Sequence, residues 1–349
     1  MDAALFPTPP EPGAADAARP LVDPFGRRIT YLRLSVTDRC DLRCRYCMPA
    51  RPRFLPKAEV LSLEELVAIA DAFIARGVTK IRLTGGEPLV RKGVERLIAA
   101  LGARLGRGLE ELSVTTNGQQ LVRFAPILRD AGMRRINVSL DTLDPVTYAR
   151  ITRGGAIAPV LDGIAAARAA GLGVKLNAVV MRGVNDAGLD ELIAFAGRQG
   201  CDLTLIEPMP LGASEDGPRS LQFVPLVELA KELARRWTLT PLPHHSTGGP
   251  ARYVRVEETG RLLGFITPLS HNFCAGCNRV RVSATGRLYL CLGSGDGFDL
   301  KGTLRAQGVS GLDRLLDRLI RVKPARHAFE SEMDRAEPAL ARHMHVTGG

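Results

Sequence analysis

The strongest constraint on the fold is an alternation of short β-rich runs and helical stretches between residues 30 and 210. The predicted strands are residues 29–36, 80–85, 111–116, 135–140, 173–181 and 203–209. The predicted helices lie near residues 62–77, 91–104, 121–131, 158–170 and 187–199. In the first helix, Ser62 and Glu65 form a capping box and Gly77 ends an apolar face. Strands that alternate with helices indicate parallel pairing with right-handed crossovers, but periodicity alone does not separate a doubly wound sheet from an incomplete barrel.

Other sequence signals narrow the fold and divide the chain. Neither a Rossmann GxGxxG after the first strand nor a GxxxxGK[ST] P-loop is present, which disfavours the nucleotide-binding forms of a doubly wound sheet. After residue 210 a Gly/Ser-rich loop leads into one helix, residues 221–236, and then into the β-like pieces YVRVEE, LLGFIT, RVRVSA and RLYLCL. We therefore expect a disordered arm (1–23), a first domain (24–214) and a smaller α+β domain (215–349).

Composition excludes several functional classes. With 45% apolar and 24% charged residues, the chain is expected to be globular and soluble. The net charge of +10 comes from dispersed arginines, and only 5% of residues are aromatic, so a small polyanion such as a nucleotide triphosphate is favoured over a nucleic acid. No apolar stretch approaches the roughly 18 residues that a membrane span needs, and the first residues do not resemble a signal peptide. The chain is therefore expected in the cytoplasm.

Three cysteines within the run CDLRCRYC, at positions 40, 44 and 47, form a candidate metal site. Such a trio can hold three corners of a four-iron cluster and leave the fourth iron open to a substrate or cofactor. A zinc knuckle without its fourth ligand is the alternative, although Tyr46 separates the last two thiols and no further Cys or His follows closely.

A second trio is formed by Cys274, Cys277 and Cys291. It again supplies three thiolates, and a zinc site completed by His271 is the competing interpretation. The seventh cysteine, Cys201, opens a predicted strand and is expected to be a buried free thiol. An odd number of cysteines without an export signal favours metal-bound thiolates in a reducing compartment over disulfides.

Other candidate site residues follow predicted strands. Gly85 and Gly86 end the second strand, where backbone without side chains can approach a ligand closely; an ordinary turn is the alternative. Arg279 and Arg281 alternate along a predicted strand and so point to the same face. Two residues that follow other strands, Asn117 of the motif TTNG and Asp141 of the motif SLD, are expected to be turn or capping residues without a catalytic role.

The cysteine spacing, with an aromatic residue before the third thiol, resembles the signature of the radical S-adenosylmethionine (SAM) superfamily. The resemblance implies a partial (β/α)6 barrel with its chemistry at the carboxyl ends of the strands, where these motifs lie. Two cysteine trios in this order, with TGGEP, the IEPMPLG run, CNRVRVSATG and a terminal Gly348-Gly349, are similar to the GTP 3′,8-cyclases of molybdenum-cofactor biosynthesis. This likeness extends from about residue 29 to the end of the chain.

The resemblance implies a role for each matching position. Two [4Fe–4S] clusters would be held by Cys40, Cys44 and Cys47 and by Cys274, Cys277 and Cys291. SAM would be contacted by Tyr46, Gly86, Ser139 and Met209. GTP would be contacted by Arg33, Arg82, Thr115, Lys175, Arg279 and Arg281. Gly348 and Gly349 would enter the active site as a tail without side chains.

The reaction implied by the resemblance begins when a reduced cluster cleaves SAM. The resulting 5′-deoxyadenosyl radical removes hydrogen from C3′ of GTP, and the C3′ radical then bonds to C8 of the guanine. Reduction of the radical that results, by one electron and one proton, gives 3′,8-cyclo-7,8-dihydro-GTP. No catalytic acid–base pair is required, and none is recognisable. A cyclic pyranopterin monophosphate synthase would act downstream, an electron donor would reduce the cluster, and a homodimer is expected from the family alone. The rivals are a peptide-maturing radical SAM enzyme and a two-cluster electron-transfer protein.

Overall fold

The computed structural model describes residues 19–212, 219–295, 297–327, 329, 340 and 342–348. Its strands are β1 (Tyr31–Ser35), β2 (Lys80–Thr84), β3 (Glu111–Thr116), β4 (Arg135–Ser139), β5 (Gly173–Val179), β6 (Asp202–Ile206), β7 (Leu239–Pro241), β8 (Arg252–Val256), β9 (Arg261–Ile266), β10 (Arg279–Val282), β11 (Arg287–Tyr289) and β12 (Phe298–Asp299). Its helices are α1 (Leu63–Ala75), α2 (Val94–Gly102), α3 (Leu121–Asp130), α4 (Pro145–Thr152), α5 (Ala158–Ala169), α6 (Leu189–Arg198), α7 (Leu226–Leu233), α8 (Leu300–Ile320) and α9 (Met344–Thr347). Every strand and helix predicted in the first 210 residues is present.

The first six strands pair in chain order, and each pair is parallel. Helices α1 to α6 connect them on one side, as in a partial barrel. Successive residues of a strand face opposite sides, so the apolar Leu32 and Leu34 of β1 are fully buried in the core, while Tyr31 and Arg33 face the interior cavity. The sheet thus separates an apolar helix layer from an interior cavity that contains charged side chains, and this confirms the predicted barrel.

The strands after residue 215 join the same sheet. The order is β12-β11-β10-β1-β2-β3-β4-β5-β6-β9-β8-β7. β10 pairs parallel to β1, and β9 pairs parallel to β6, so the C-terminal part extends both edges of the barrel. The four β-like pieces predicted there are strands, but their local sequence gave no indication of these two attachments. The predicted boundary at residue 214 falls outside the described residues.

Helix α1 forms for the reasons visible in its sequence. The Ser62 side chain accepts from the Glu65 amide at 3.1 Å, and the Glu65 carboxylate accepts from the Ser62 amide at 2.8 Å. These two bonds satisfy backbone donors that the first turn leaves open. Leu66 and Phe73 are at most 1% exposed on the core face, and burial of each stabilises the fold by about 1.5–3 kcal/mol. At the other end Gly77 has φ 85, a left-handed conformation that suits glycine.

The residues before β1 differ from the prediction of a disordered arm up to residue 23. Leu21 is 2% exposed and its amide donates to the Arg76 carbonyl, while Asp23 forms a buried ion pair with Arg27. Arg27 also donates to the Cys274 carbonyl at 2.8 Å, so this segment supports the second cysteine loop. The prediction is wrong for these residues because long-range contacts, not local propensity, hold them; residues 1–18 lie outside the described residues.

Two helical features were not predicted in detail. Helix α4 was missed although Asp144 caps it, accepting from the Thr147 amide at 2.8 Å, and Pro145 occupies its first position. An Asp-Pro pair is a typical helix start, so the signal was present. Helix α8 is kinked at Gly308, where φ is 64 and ψ is −163.

Within the described residues, no helix has both the length and the apolar character needed to cross a membrane.

Candidate active site

The first cysteine group lies on the loop that follows the carboxyl end of β1. Cys40, Cys44 and Cys47 all line one central cavity. The amides of Cys47 and Met48 both donate to the Cys44 carbonyl, at 2.9 and 3.1 Å, which forms a tight turn around the last two thiols. The Leu42 amide lies 3.4 Å from the sulfur of Cys40 and donates to it. Hydrogen bonds of this kind help to set the properties of thiolate-bound clusters, so the loop fits a three-thiolate site.

Helix α4 holds this loop against the barrel. Two loop amides donate to carbonyls at the end of α4, at 3.1 and 2.9 Å. Arg153 follows the helix and, among the described residues, it alone has a positive φ without being glycine, at 56. Its guanidinium donates to the carbonyls of Arg43 and Met48, at 2.9 and 3.0 Å. Because these carbonyls bracket Cys44 and Cys47, Arg153 fixes the loop that carries the thiols.

The double glycine after β2 lies directly against the first cysteine loop. The Gly86 amide donates to the Thr37 carbonyl at 2.9 Å, and the Glu87 amide donates to the Arg39 carbonyl at 2.8 Å. A Cβ at Gly86 would lie 2.4 Å from the Arg39 oxygen. Glycine is therefore required here by a close approach of two backbones, and the loop is more than an ordinary turn.

Glu87 connects this double-glycine loop to β3. It is 1% exposed, and its carboxylate accepts from the Leu89 amide, the Thr116 hydroxyl and the Asn117 amide at 2.6–3.0 Å. Burial raises the pKa of Glu87 to about 7, although these hydrogen bonds act in the opposite direction. Sequence analysis assigned no role to Glu87, yet it fixes the relative position of two loops at the cavity.

Two residues expected to act only in turns also support the first cysteine loop. The Asn117 side chain donates to Asp41 at 2.6 Å and to the Cys40 sulfur at 3.8 Å. The Asp141 carboxylate accepts from the Tyr46 hydroxyl at 2.9 Å, and burial raises the pKa of Asp141 to about 6. The expectation that Asn117 and Asp141 act only as turn or capping residues was therefore too narrow, because both also hold the first cysteine loop. Their positions just after parallel strands were a usable signal, because those strand ends converge at one edge of a barrel.

The second cysteine group is brought together at the other side of the cavity. Cys274 and Cys277 precede β10, Cys291 follows β11, and all three line the cavity. Lys323, at 3% exposure, donates to the Cys277 sulfur at 3.8 Å and to the Arg279 carbonyl at 3.1 Å. Burial alone would raise the pKa of Cys277, but the charges of Arg279 and Lys323 lower it below its usual value. By contrast, burial raises the pKa of Cys40, Cys44 and Cys274, so the lowered pKa is particular to Cys277 and its two neighbouring cations.

A row of cations lines the same cavity as the two cysteine groups. Arg33 is paired in register with Arg82 on one side and with Arg281 on the other, and Arg279 and Lys175 line the same cavity. Burial lowers the pKa of Arg33 to about 10 and, helped by nearby cations, the pKa of Lys175 to about 7. Among the described residues no carboxylate forms an ion pair with Arg82, Arg279, Arg281 or Lys175. Buried cations without counter-charges favour an anionic ligand.

The described end of the chain reaches this row of cations. Gly348 has φ 74, and its carbonyl accepts from the Arg281 guanidinium at 2.5 Å. A Cβ at Gly348 would lie 2.1 Å from the Thr84 hydroxyl, so a side chain is excluded there. Gly348 therefore lies against Arg281 and Thr84, while its entry into the active site stays a prediction. Gly349 lies outside the described residues.

The cavity that joins these elements has a volume of about 280 Å³. This is far more than the roughly 30 Å³ of one water molecule and is typical of a small-molecule site. The predicted site residues that line it are Arg33, Cys40, Cys44, Tyr46, Cys47, Arg82, Gly86, Thr115, Ser139, Lys175, Met209, Cys274, Cys277, Arg279, Arg281 and Cys291. Residues far apart in sequence thus meet in one enclosed space, while the ligand that each contacts stays a prediction.

The donor set fits two iron–sulfur clusters. Each trio offers three thiols toward the cavity, and each has a nitrogen donor within reach of one sulfur, from Asn117 in the first group and Lys323 in the second. His271, the alternative zinc ligand, is exposed and does not line the cavity. Within the described ranges, no three His, Cys, Asp or Glu side chains are close enough to share a single metal ion. A four-iron cluster does not need such a group, because each of its thiolates binds a different iron.

Comparison with known proteins identifies the class that this fold and site define. A model of the Radical SAM superfamily matches residues 34–196, and a model described as Molybdenum Cofactor Synthesis C matches residues 201–329. The structure resembles that of Streptococcus suis SuiB bound to S-adenosylmethionine, with a TM-score of 0.64, 15% identity, and coverage of 91% of this chain and 77% of that one. At that identity the likeness concerns the fold alone. The protein is a radical SAM protein, with the SAM and [4Fe–4S] clusters that this class uses.

Its relatives define the family more narrowly. A GTP 3′,8-cyclase of Erythrobacter litoralis is 60% identical over 334 residues, which cover 95% of this chain and 100% of that protein. A GTP 3′,8-cyclase of Rhizobium etli is 55% identical over 339 residues, covering 97% of each chain. The chain belongs to the GTP 3′,8-cyclase family, as its motifs predicted.

Proposed function

We propose that this protein converts GTP to (8S)-3′,8-cyclo-7,8-dihydroguanosine 5′-triphosphate, a step of molybdenum-cofactor biosynthesis. The observation that carries the proposal is that two cysteine trios and the row of cations line one cavity, and that no described carboxylate forms an ion pair with Arg82, Arg279, Arg281 or Lys175. The rival interpretation, a two-cluster electron-transfer protein, would explain the two cysteine trios but would not explain the concentration of positive charge in the same cavity. Family membership favours the same conclusion.

The proposed SAM site is the end of the cavity nearest the first cysteine loop. Tyr46, Gly86, Ser139 and Met209 line it from four different chain segments. Gly86 leaves backbone exposed to the cavity because no side chain fits there, and Asp141 holds the Tyr46 hydroxyl at 2.9 Å. When bound, SAM and the first cluster supply the hydrogen-abstracting radical chemistry. The protein's own contribution is to bind, orient and exclude water.

The proposed GTP site lies along the cations. A triphosphate carries about four negative charges, and arginine binds phosphate oxygens in pairs through its planar fork. Arg33, Arg82 and Arg281 occupy neighbouring register positions on three strands, so one polyphosphate chain can contact all three. The ligand would also remove the mutual repulsion that contributes to the lowered pKa of Arg33 and Arg281. The second cluster would hold the guanine at the end of the cavity opposite the SAM site. The Gly348 carbonyl accepts a hydrogen bond from Arg281, one of the proposed phosphate-binding cations.

Further expectations follow from membership of the family. They are assignment to the lyase class, a cyclic pyranopterin monophosphate synthase downstream, an external electron donor, a homodimer, and action in the cytoplasm, where reduced thiols persist. The two-domain division near residue 214 is likewise a proposal. The two family models match residues 34–196 and 201–329, so the second begins before that boundary.

Anaerobic reconstitution with iron counting, followed by mass analysis of products from GTP and SAM, tests the proposal. We expect two four-iron clusters per chain, 5′-deoxyadenosine, and a product with the mass of GTP in which C3′ is bonded to C8. Arg281→Met should abolish product formation, whereas Arg129→Met, which changes an exposed arginine paired only with Asp130, should not. Stoichiometric zinc, or 5′-deoxyadenosine without a GTP-derived product, would contradict the proposal.

A further inference from the structure

Tyr31 lies among the cations of the cavity, and the contacts proposed above for GTP leave it without a role. It is the first residue of β1 and is 2% exposed. Its Cα pairs with that of Arg279 in β10 on one side and with that of Lys80 in β2 on the other. Because side chains two residues apart in a strand face the same side, Tyr31 points into the cavity beside Arg33.

The ring of Tyr31 is well accommodated, but its hydroxyl is not. Lys80 Nζ lies 5.1 Å from the ring centroid and Arg82 Cζ lies 5.5 Å from it, both in cation–π geometry. A phenylalanine would supply the same packing and the same cation–π contacts. Within the described part of the chain, however, the Tyr31 hydroxyl forms no hydrogen bond. A buried polar group without a partner costs stability and is unusual in folded proteins.

The surroundings of this hydroxyl indicate the kind of group that would complement it. The charged side chains that act on it are Arg82, Arg33, Lys80 and Arg279, all of them cations. Burial raises the pKa of Tyr31, but these four charges together lower it below its ordinary value. Arginine and lysine have donors only, so none can accept the O–H of the phenol. An anionic oxygen of a ligand would accept this O–H and would also be attracted by the surrounding positive charges.

We propose that the Tyr31 hydroxyl donates a hydrogen bond to a phosphate oxygen of the bound nucleotide and is a specificity-determining contact for the polyphosphate chain. The inference rests on the proposed function, because it adds a neutral donor to the cationic site assigned there to GTP. Hydrogen bonds from O–H to an anionic oxygen are short and directional, so Tyr31 would fix the position of one phosphate where diffuse positive charge alone would not.

The test compares wild type with Tyr31→Phe, using the full chain with its clusters reconstituted anaerobically. Calorimetry gives Kd for GTP, inorganic triphosphate and guanosine, and a thermal melt gives Tm without ligand. Tyr148→Phe is the matched control: it removes a buried hydroxyl that has a partner, the Gln119 amide at 3.4 Å, and that does not line the cavity.

We expect Tyr31→Phe to raise Kd for GTP and for inorganic triphosphate by about tenfold or more, since a hydrogen bond to a charged group is lost. Kd for guanosine should not change, and Tm without ligand should stay the same or rise, because an unpaired buried hydroxyl is removed. Tyr148→Phe should lower Tm slightly and leave all three Kd values unchanged. The opposite signs for stability and binding separate a ligand contact from a structural role.

Equal Kd values for triphosphate in wild type and Tyr31→Phe overturn the inference. A lower Tm together with a similar rise in all three Kd values also overturns it, because that pattern reports damage to the fold. If wild type binds neither GTP nor triphosphate, the inference and the proposed function fail together. If wild type binds triphosphate through Tyr31 but does not convert GTP, only the proposed function fails.

Discussion

Gly86→Ala should separate the double-glycine loop from the first cysteine loop. The added Cβ would lie 2.4 Å from the Arg39 oxygen and 2.8 Å from the Asp38 oxygen, both backbone atoms. A carbon–oxygen contact needs about 3.3 Å, so the loops must move apart by roughly 0.9 Å. That movement would stretch the hydrogen bonds from the Gly86 amide to Thr37 and from the Glu87 amide to Arg39, now 2.9 and 2.8 Å long, beyond bonding distance.

The expected cost follows from these contacts. Two lost hydrogen bonds contribute about 0.5–1.5 kcal/mol each, and residual overpacking adds about 1 kcal/mol, so the free energy of unfolding should fall by about 2–4 kcal/mol. Denaturant unfolding of the cluster-free protein under anaerobic conditions measures this loss of stability. Calorimetry of the reconstituted protein should also show weaker SAM binding. Gly188→Ala is the control: its Cβ would meet no atom within 4 Å and its φ is −93, so a loss of at most about 1 kcal/mol is expected at this helix cap. Equal stability of Gly86→Ala and wild type would refute the steric argument.

Three further changes test the supports around the cavity. Arg153→Gly removes the hydrogen bonds that hold the first cysteine loop, but glycine suits the left-handed φ of 56, so the free energy of unfolding should change by less than about 1 kcal/mol. A chelator should remove the first cluster roughly tenfold faster, measured by iron release. An unchanged rate of release would contradict the proposed support of the loop by Arg153. Because Lys175 has a pKa of about 7, it is mostly neutral at pH 8, and bound triphosphate should recharge it. GTP binding should then take up close to one proton, measured by calorimetry in buffers of different ionisation enthalpy, and Lys175→Met should abolish this uptake. Lys323→Met removes a positive charge beside the Cys277 sulfur, so the reduction potential of the second cluster should fall by on the order of 50 mV. Lys323→Arg keeps the charge and should preserve the potential. A redox titration followed by electron paramagnetic resonance measures both variants.

The same pKa of Lys175 predicts how stability depends on pH without nucleotide. The folded pKa of about 7 lies below the ordinary value of 10.5, so between these values the unfolded chain binds more protons than the folded one. The free energy of unfolding should therefore rise with pH from 7 to 10, and this slope should be smaller in Lys175→Met. An identical slope in both proteins would contradict a buried, destabilised ammonium at this position.

The sequence by itself determined the features that depend on neighbours along the chain. Helix α1 was predicted because its capping box, apolar face and terminal glycine all lie within sixteen consecutive residues, from Ser62 to Gly77. The strands of the barrel followed from local β propensity and from their alternation with helices. The two cysteine trios could be recognised because the chemistry of a cluster fixes the spacing of its thiolates. Helix α4 also carried a local signal, an Asp-Pro start, which sequence reasoning overlooked.

Tertiary structure alone decided which distant residues meet. Asp141 contacts Tyr46 across 95 residues of sequence, Arg153 contacts Arg43 across 110, and Gly348 reaches Arg281 across 67. None of these partners changes the local pattern around the other. The position of Asp141 after a parallel strand could place it at the edge of the barrel, but no periodicity or spacing could reveal which residue it contacts. The same holds for the sheet, where β10 pairs with β1 and β9 with β6, so that the C-terminal strands continue both edges of the barrel. Local sequence decides which helices and strands form, because propensity and capping act over a few residues. Long-range packing decides which distant residues come into contact, because it depends on how the whole chain folds.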